Sequence, residues 1–331
     1  MRKPLETLVA LAGMFYFALS CCAQETIPQG MILIGAKTSD EPEAITIQVV
    51  SPEGKRLKTL FHRREGSISM GRLSSDGRQL AFDFESQDQK PGLWLLKGGS
   101  EASQIADGGG YITAWSPDGM QLGLYGKGNK PGSYESFVID LKTKARHKLD
   151  LPLEYIAEDW HPRDNLRTAI YWNSRNLLYR EMKGDHYPTR QLDLLMSNGQ
   201  TRPLTKDPCT DNIWSRFSPT GDRLAYYQRR IIGEIAKEYA VVSLADGSKP
   251  RVLLCFTDSG QAKGLPWFRP RGFPAWSPDG KTIAWLINTN EKPEGQGEKW
   301  ELLFIDVERK EFRRLSLTEK RYTWVSAIEW H

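Results

Sequence analysis

The sequence predicts an all-β chain, a six-bladed β-propeller of four-stranded blades, and three observations predict it. A five-residue phrase returns along the chain. It is complete at Trp115-Ser116-Pro117-Asp118-Gly119 and Trp276-Ser277-Pro278-Asp279-Gly280, and weaker at Leu73-Ser74-Ser75-Asp76-Gly77, Trp160-His161-Pro162-Arg163-Asp164 and Phe217-Ser218-Pro219-Thr220-Gly221. Each copy is followed by a short apolar run, as in Leu80-Ala81-Phe82, Leu122-Gly123-Leu124, Ala169-Ile170-Tyr171, Leu224-Ala225-Tyr226 and Ile283-Ala284-Trp285. The two ends of the chain carry complementary pieces of one further unit. A unit returning every ~40–60 residues is the mark of a propeller or another repeat array.

The phrase itself is a turn. Proline at the second position pre-sets φ for a type I turn, aspartate bonds locally at the third, and glycine accepts the left-handed conformation that follows. Apolar runs on both sides make it a β-hairpin. The bulky residue before each turn (Leu73, Trp115, Trp160, Phe217, Trp276) falls in one register and is expected to pack between neighbouring sheets. The small residue beyond it (Ala81, Gly123, Ala169, Ala225, Ala284) leaves room for that bulk. A third apolar strand and a fourth, more basic one complete each unit, as in Ser136–Asp140 with Arg146–Leu149 and Leu302–Asp306 with Phe312–Leu315. Four strands make one blade.

Five units are complete. The C-terminus adds a lone first strand, Val325 to His331, in which Trp330-His331 echoes Trp160-His161. The N-terminus supplies the remaining three strands: Met31 to Ile34, Ala44 to Val50 and Arg56 to Phe61, with Ser51-Pro52-Glu53-Gly54 as the turn between the last two. One split blade plus five makes six, and joining the chain ends in one sheet removes an open edge.

The chain has 331 residues, 39% of them hydrophobic and 26% charged, with a formal charge of +4. The basic residues are scattered, without the basic stripe and interleaved aromatics of a nucleic-acid binder. Arg2 and Lys3 precede an apolar run from Leu8 to Leu19, shorter than the about 20 residues that span a bilayer, so residues 1–23 read as an export signal. Residues 24–30 read as a linker and 31–331 as the propeller. Cys21 and Cys22 fit a lipid-attachment pattern imperfectly, so the expectation is a periplasmic or secreted protein, with a lipid anchor as an option. Cys209 and Cys255 fall at opposite edges of one predicted blade, beyond disulfide reach unless the loop carrying Cys209 bridges the gap, and two reduced thiols are expected.

The Trp-Ser-Pro-Asp-Gly turn and the Leu-Ala-Phe type of run after it resemble the repeats of the TolB-like (PD40, WD40-like) bacterial propellers, over roughly residues 31–331. TolB itself carries an α/β domain ahead of its propeller. Here the propeller follows the signal, so the expectation is a relative other than TolB. The resemblance implies an exported, non-catalytic scaffold that binds proteins with a propeller face, although fold by itself does not set function.

Catalytic motifs are absent: no nucleophile elbow, zinc-protease motif, phosphate loop or EF-hand loop occurs. No catalytic residue, metal or cofactor is therefore assigned. The five histidines are not spaced as ligand pairs, and His161 and His331 stand where serine caps the turn in other units. The residue before each packed aromatic of the innermost strands reads Glu329, Arg72, Ala114, Asp159, Arg216, Ala275 around the ring. This predicts inter-blade ion pairs Glu329–Arg72 and Asp159–Arg216 beside the central channel. A second candidate surface lies in the loops leading into the innermost strands, where Trp214, Trp267, Arg269 and Arg271 combine the aromatic and basic side chains that anchor interfaces. The insertion Asn173 to Arg190 is expected to extend one blade's outer loops, and Glu291 to Lys299 to be a solvated linker. The functional expectation is a monomeric scaffold binding an envelope or secreted protein. The alternative is a carbohydrate-active protein, an oligosaccharide binder or polysaccharide-lyase-like enzyme using the channel.

Overall fold

The computed structural model describes residues 27–331 except 70, 89, 99–100, 109, 129–132, 152–154, 165–166, 181–184, 197, 208, 233–234, 257–267, 290–298 and 318–321. The predicted signal, with Cys21 and Cys22, and most of the Glu291–Lys299 loop lie outside the described residues.

Six antiparallel sheets follow one another around a ring. Blade 1 contains β1 (Ile32–Thr38), β2 (Ile45–Val50) and β3 (Arg56–Arg63); blade 2, β4 (Gly71–Leu73), β5 (Gln79–Phe84), β6 (Gly92–Lys97) and β7 (Ser103–Asp107). Blade 3 is β8 (Gly110–Trp115), β9 (Gln121–Lys127), β10 (Tyr134–Asp140) and β11 (Arg146–Lys148). Blade 4 is β12 (Tyr155–Trp160), β13 (Arg167–Arg180), β14 (Asp185–Leu195) and β15 (Thr201–Pro203). Blade 5 is β16 (Thr210–Phe217), β17 (Arg223–Ile232), β18 (Ile235–Leu244) and β19 (Arg251–Cys255). Blade 6 holds β20 (Phe268–Pro270), β21 (Ala275–Trp276), β22 (Thr282–Thr289), β23 (Lys299–Asp306) and β24 (Phe312–Ser316). The chain ends in β25 (Tyr322–Trp330), which pairs with β1 as the innermost strand of blade 1, with Ile32 opposite Trp330 and Leu33 opposite Glu329.

The cores lie between blades. In β5, Leu80, Phe82 and Phe84 face blade 1, while Ala81 joins Leu93, Leu95, Ile112, Leu122 and Leu124 at the seam with blade 3. In β22, Ile283, Trp285 and Ile287 pack toward blade 5 and Ala284 and Leu286 toward blade 1. Strands covered on both faces need apolar residues at every position, so they read as continuous apolar runs and not as alternating ones. The outermost strand of blade 3 is the opposite: all three residues of β11 are exposed, and two of them are basic, which keeps this edge from pairing with other chains.

Two elements depart from the simple repeat. The innermost strand of blade 6 is broken in two, because after the Arg271 N–H bonds the Leu286 carbonyl (2.8 Å) Gly272–Pro274 leaves the ladder: Pro274 has no N–H to donate and Gly272 takes φ 70°. The described residues of the Asn173–Arg190 insertion are not loop but strand, since β13 and β14 run on past the ring as a long hairpin paired from Arg180–Asp185 back to Arg167–Leu195. At the other end of the chain, Ile27 donates its N–H to the Gly77 carbonyl (3.2 Å) and is buried, so this part of the expected linker is docked on blade 2.

The turns carry a side-chain lattice that the phrase encodes. Ser116 Oγ donates to Asp118 Oδ1 (2.5 Å) and accepts the Gln121 N–H (2.9 Å), while Asp118 accepts the Met120 N–H (2.9 Å). Ser277 and Asp279 repeat this with Thr282 and Lys281. Where histidine replaces serine, the cap reaches further. His161 Nδ1 accepts the Asp164 N–H (3.0 Å), and its Nε2–H donates to the Gly221 carbonyl of the next blade (3.0 Å), with Phe217 edge-on at 4.9 Å. Gly221 has φ 77°, and a Cβ there would overlap the His161 ring, whereas a Cβ on Gly280 (φ 66°) would meet open space. Gly280→Ala is therefore expected to cost only the left-handed backbone penalty, about 1–2 kcal/mol. Gly221→Ala should cost about twice that, because it also displaces bonds of about 1 kcal/mol each. Urea unfolding of both variants checks this, and equal losses would show that the histidine adds nothing to the seam between blades 4 and 5.

Candidate functional site: the central funnel

The innermost strands converge on the ring axis and end in the serine–proline turns, which together frame a funnel of about 330 Å³. Its wall is aromatic (Trp115, Trp160, Trp276, Trp330), and Pro117, Pro162, Pro219 and Pro278 of the turns ring its mouth. The aromatic wall is core as well as lining: Trp115, Trp160, Phe217 and Trp276 are buried. Two of the indoles also position the floor. Trp115 Nε1–H donates to the Arg72 carbonyl (2.8 Å) and Trp276 Nε1–H to the Arg216 carbonyl (3.1 Å), each across one blade seam.

The floor consists of Arg72, Glu329, Asp159 and Arg216. Arg72 Nη1 donates to Glu329 Oε1, and Arg216 Nη1 donates to Asp159 Oδ1 at 2.7 Å. These are the two adjacent-blade pairs, but the structure joins them into one network. Arg216 Nη2 stands 3.8 Å from Glu329 Oε1, and the Thr113 carbonyl accepts both Arg72 Nε (3.0 Å) and Arg216 Nη1 (3.2 Å). The network thus joins two acids and two arginines from four blades.

β-Bulges make this possible. The register slips between Ala157 and Asp159, between Ile112 and Ala114, and between Ile213 and Arg216. An extra residue in a strand re-aims the side chain that follows it. Each slip turns the next residue to the axis. In two of the three the partner directly across the ladder is small, Gly123 facing Ala114 and Ala225 facing Arg216, as Ala81 faces Arg72 in unbulged β4, whereas Asp159 faces Thr168. Outside blade 4, where Ala169 faces Ala157, the small residues of the repeat thus make room opposite the channel residue, not opposite the tryptophan.

Three contributors were not legible as site residues. Phe273, in the segment that breaks the blade 6 strand, lies against both guanidinium groups, 4.6 Å from Arg72 and 4.4 Å from Arg216, a cation–π sandwich. The proline-flanked Arg271-Gly272-Phe273-Pro274 run was the available sign that the strand stops there. Thr113 acts through its carbonyl, which no side-chain pattern reveals. Glu158, the bulged residue of β12, is 2% exposed and accepts the Trp214 N–H (2.8 Å), the Ser215 N–H (2.9 Å) and the Ser215 hydroxyl (2.7 Å). Two successive N–H groups cradling a carboxylate form a nest, and they account for the left-handed φ of 58° at Trp214.

Burial dominates the electrostatics. It pushes the Asp159 carboxyl up to about 8 against the Phe217 N–H and Arg72, and the Glu158 carboxyl up to about 7 against its three donors. It raises Glu329 as well, opposed by Arg72. These acids are spent on fixed partners inside the ring. Among the described residues no group of three His, Cys, Asp or Glu is placed to hold a metal ion.

The second candidate surface is dispersed. Trp214 is half-buried, its ring 5.2 Å from Tyr227 and packed on the blade 5 core. Arg271 is exposed, only the backbone of Arg269 is described, and Trp267 lies outside the described residues. Cys209 and Cys255 are not bonded to each other. No helix of the described residues is long and apolar enough to cross a membrane.

No protein-family model matches the chain, and no curated protein matches it. Among solved structures, TolB from Acinetobacter baumannii is similar with a TM-score of 0.67 at 16% identity, over 91% of this chain and 66% of that one. A protein designated TolB from Agrobacterium tumefaciens has a TM-score of 0.51 at 15% identity, over 75% of this chain and 87% of that one. The tricorn protease has 0.53 at 14% identity, over 87% of this chain and 26% of that much longer one. The chain thus has the TolB-like six-bladed propeller fold, and it spans less than two thirds of the Acinetobacter protein. One architecture shared by TolB and a protease leaves function to the site.

Proposed function

We propose that the protein is an exported, non-catalytic scaffold that binds another envelope or secreted protein through the funnel face of the propeller. The observation that carries this reading is the construction of the floor. Its acids and arginines bond to one another and are held by Thr113 and Phe273, which leaves a preformed concavity walled by tryptophan and proline. Such a surface receives an inserted peptide segment without reorganising, and rigid preorganised sites keep the cost of binding low. The apolar segment behind Arg2 and Lys3 supports export, and the TolB-like fold supports a scaffold role. The competing face is the one where β20 begins, behind the strand break that carries the exposed Arg271.

The test is affinity capture from an envelope extract, run with three proteins. One is the wild type, one carries Ser75→Trp and Pro278→Trp on the exposed funnel rim, and one carries Arg271→Glu. The expected result is a protein captured by wild type and Arg271→Glu and lost from the rim variant, with all three melting alike. Loss from Arg271→Glu alone moves the working face to the opposite end. Elution of glycan alone overturns the scaffold reading in favour of a carbohydrate-active protein.

A further inference from the structure

The funnel floor has more hydrogen-bond donors than acceptors. Arg72 and Arg216 are 4% and 8% exposed, so their nitrogens are withdrawn from bulk water. Arg72 Nε donates to the Thr113 carbonyl and Nη1 to Glu329, while Arg216 Nη1 donates to Asp159 and to the same carbonyl. The Nη2 of each arginine is buried and has no hydrogen-bond partner among the described residues. The acid beside Arg216 Nη2 is Glu329, whose Oε1 stands 3.8 Å away, too far to bond. Both oxygens of Asp159 are engaged, Oδ1 by Arg216 and Oδ2 by the Phe217 N–H (2.8 Å).

The wall repeats the imbalance. Trp115 and Trp276 bond carbonyls across their seams, but Nε1 of Trp160 and of Trp330 is buried without a partner among the described residues. The unpartnered buried polar atoms of the described funnel lining are therefore two guanidinium and two indole nitrogens, every one a donor. A buried donor left unbonded is destabilising, and native interiors carry few of them. The acids of the described lining are Asp159 and Glu329. Burial raises both, Asp159 to about 8, while arginine keeps its charge, so the floor carries excess positive charge near neutral pH.

We propose that the funnel takes a carboxylate from the peptide segment that a partner inserts, and seats it on Arg72 and Arg216. A carboxylate is an acceptor with two coplanar oxygens, the shape that a guanidinium fork fits. It supplies the acceptors that the floor lacks, and on Arg216 it competes only with the long contact to Glu329. The rest of the segment packs on the tryptophan and proline wall. A lysine or arginine side chain would meet two like charges, and an uncharged apolar segment would leave the donors as they are. An Asp or Glu side chain and a chain's C-terminus present the same group. The proposal rests on the scaffold reading and names the chemistry of what the scaffold receives.

The experiment is affinity selection on the immobilised protein with mixtures of random acetylated octapeptides whose variable positions omit Asp, Glu, Lys and Arg. One mixture has a free C-terminal carboxylate; the others are amidated and carry one fixed Asp, one fixed Lys or no charge. At least one carboxylate mixture is expected to be retained roughly tenfold or more above the uncharged one, the effect of one charge-assisted bond, and the mixture retained identifies the source. Arg72→Lys and Arg216→Lys, which keep the charge and remove the fork, should each abolish that preference. Ser75→Trp/Pro278→Trp, on the exposed rim, should lose it with an unchanged melt, which keeps the test decisive where a lysine variant does not fold. Equal retention of the uncharged mixture, preference for the lysine mixture, or a carboxylate preference that survives either the rim variant or both folded lysine variants would overturn the proposal. So would calorimetric binding of trigalacturonate with no carboxylate peptide retained, which moves the acid to a sugar. Capture of a protein through the funnel, with no carboxylate preference, removes this proposal and leaves the scaffold reading standing.

Discussion

A chain ending at residue 321 is expected to lose the cooperative fold altogether. β25 is the innermost strand of blade 1 and seals the ring, pairing with β1 from Ile32–Trp330 to Thr38–Tyr322. It buries Tyr322 and Val325, carries Trp330 edge-on to Phe304 at 5.4 Å, and brings Glu329 to Arg72. The Tyr322 hydroxyl donates to Gln48 Oε1 of blade 1 (2.8 Å). Without the strand, Ile32, Ile34 and Ala36, all fully buried, border an open edge. Each fully buried apolar side chain contributes about 1.5–3 kcal/mol, and a whole domain is stable by about 5–15 kcal/mol, so a loss of this size consumes most of the total. Circular dichroism melting should show no cooperative transition, and a synthetic peptide of residues 322–331 added in trans should restore it as a donated strand. A truncated chain melting within about 2–4 °C of the full one would refute closure by this strand.

The second large effect concerns the funnel floor. Arg216→Met leaves Asp159 buried without its guanidinium, and breaking a buried pair on one side costs about 3–5 kcal/mol. The size should depend on pH. Asp159 is pushed up to about 8 from an ordinary 3.8, so between these values the folded state holds a proton that the unfolded state has lost. A raised carboxyl of this kind contributes stability that is complete below about pH 4 and is lost as pH rises through about 8. Removing Arg216 moves the carboxyl higher still. The variant's deficit should therefore be small at pH 5, where the buried acid is protonated, and reach its full size at pH 9. Adding Asp159→Leu should recover most of the deficit at pH 9, because replacing both partners leaves no buried charge. Urea unfolding at the two pH values tests this; a deficit equal at pH 5 and pH 9 would mean that Asp159 is not what Arg216 supports.

How much of this was legible depended on whether the information was local. The turn phrase specifies hairpins through the chemistry of serine, proline, aspartate and glycine within five residues, and six sheets follow from its spacing. The residue before each packed aromatic could be read as facing the axis because strand alternation ties its direction to that of the aromatic. The bulges at Thr113, Glu158 and Trp214 were hidden, since an extra residue in a strand changes register without changing composition. Phe273 was hidden for a related reason: proline and glycine announced a break in the strand, but not which ring the break would deliver between two arginines.

The ring has a half-turn rhythm. Acid, base and small residue follow one another twice around the axis, as Glu329, Arg72, Ala114 and then Asp159, Arg216, Ala275. The indole bonds of Trp115 and Trp276, the complete turn phrases that contain them, and the histidines His161 and His331 beside Gly221 and Gly77 are all spaced three blades apart. A partner sitting on such an axis would meet two equivalent seats and could dock in either of two orientations. Phe273 breaks this two-fold rhythm, because the matching stretch of blade 3, Ile112-Thr113, offers no ring. Its ring lies against both arginines without lining the funnel, so the asymmetry would reach a partner through the two guanidinium groups.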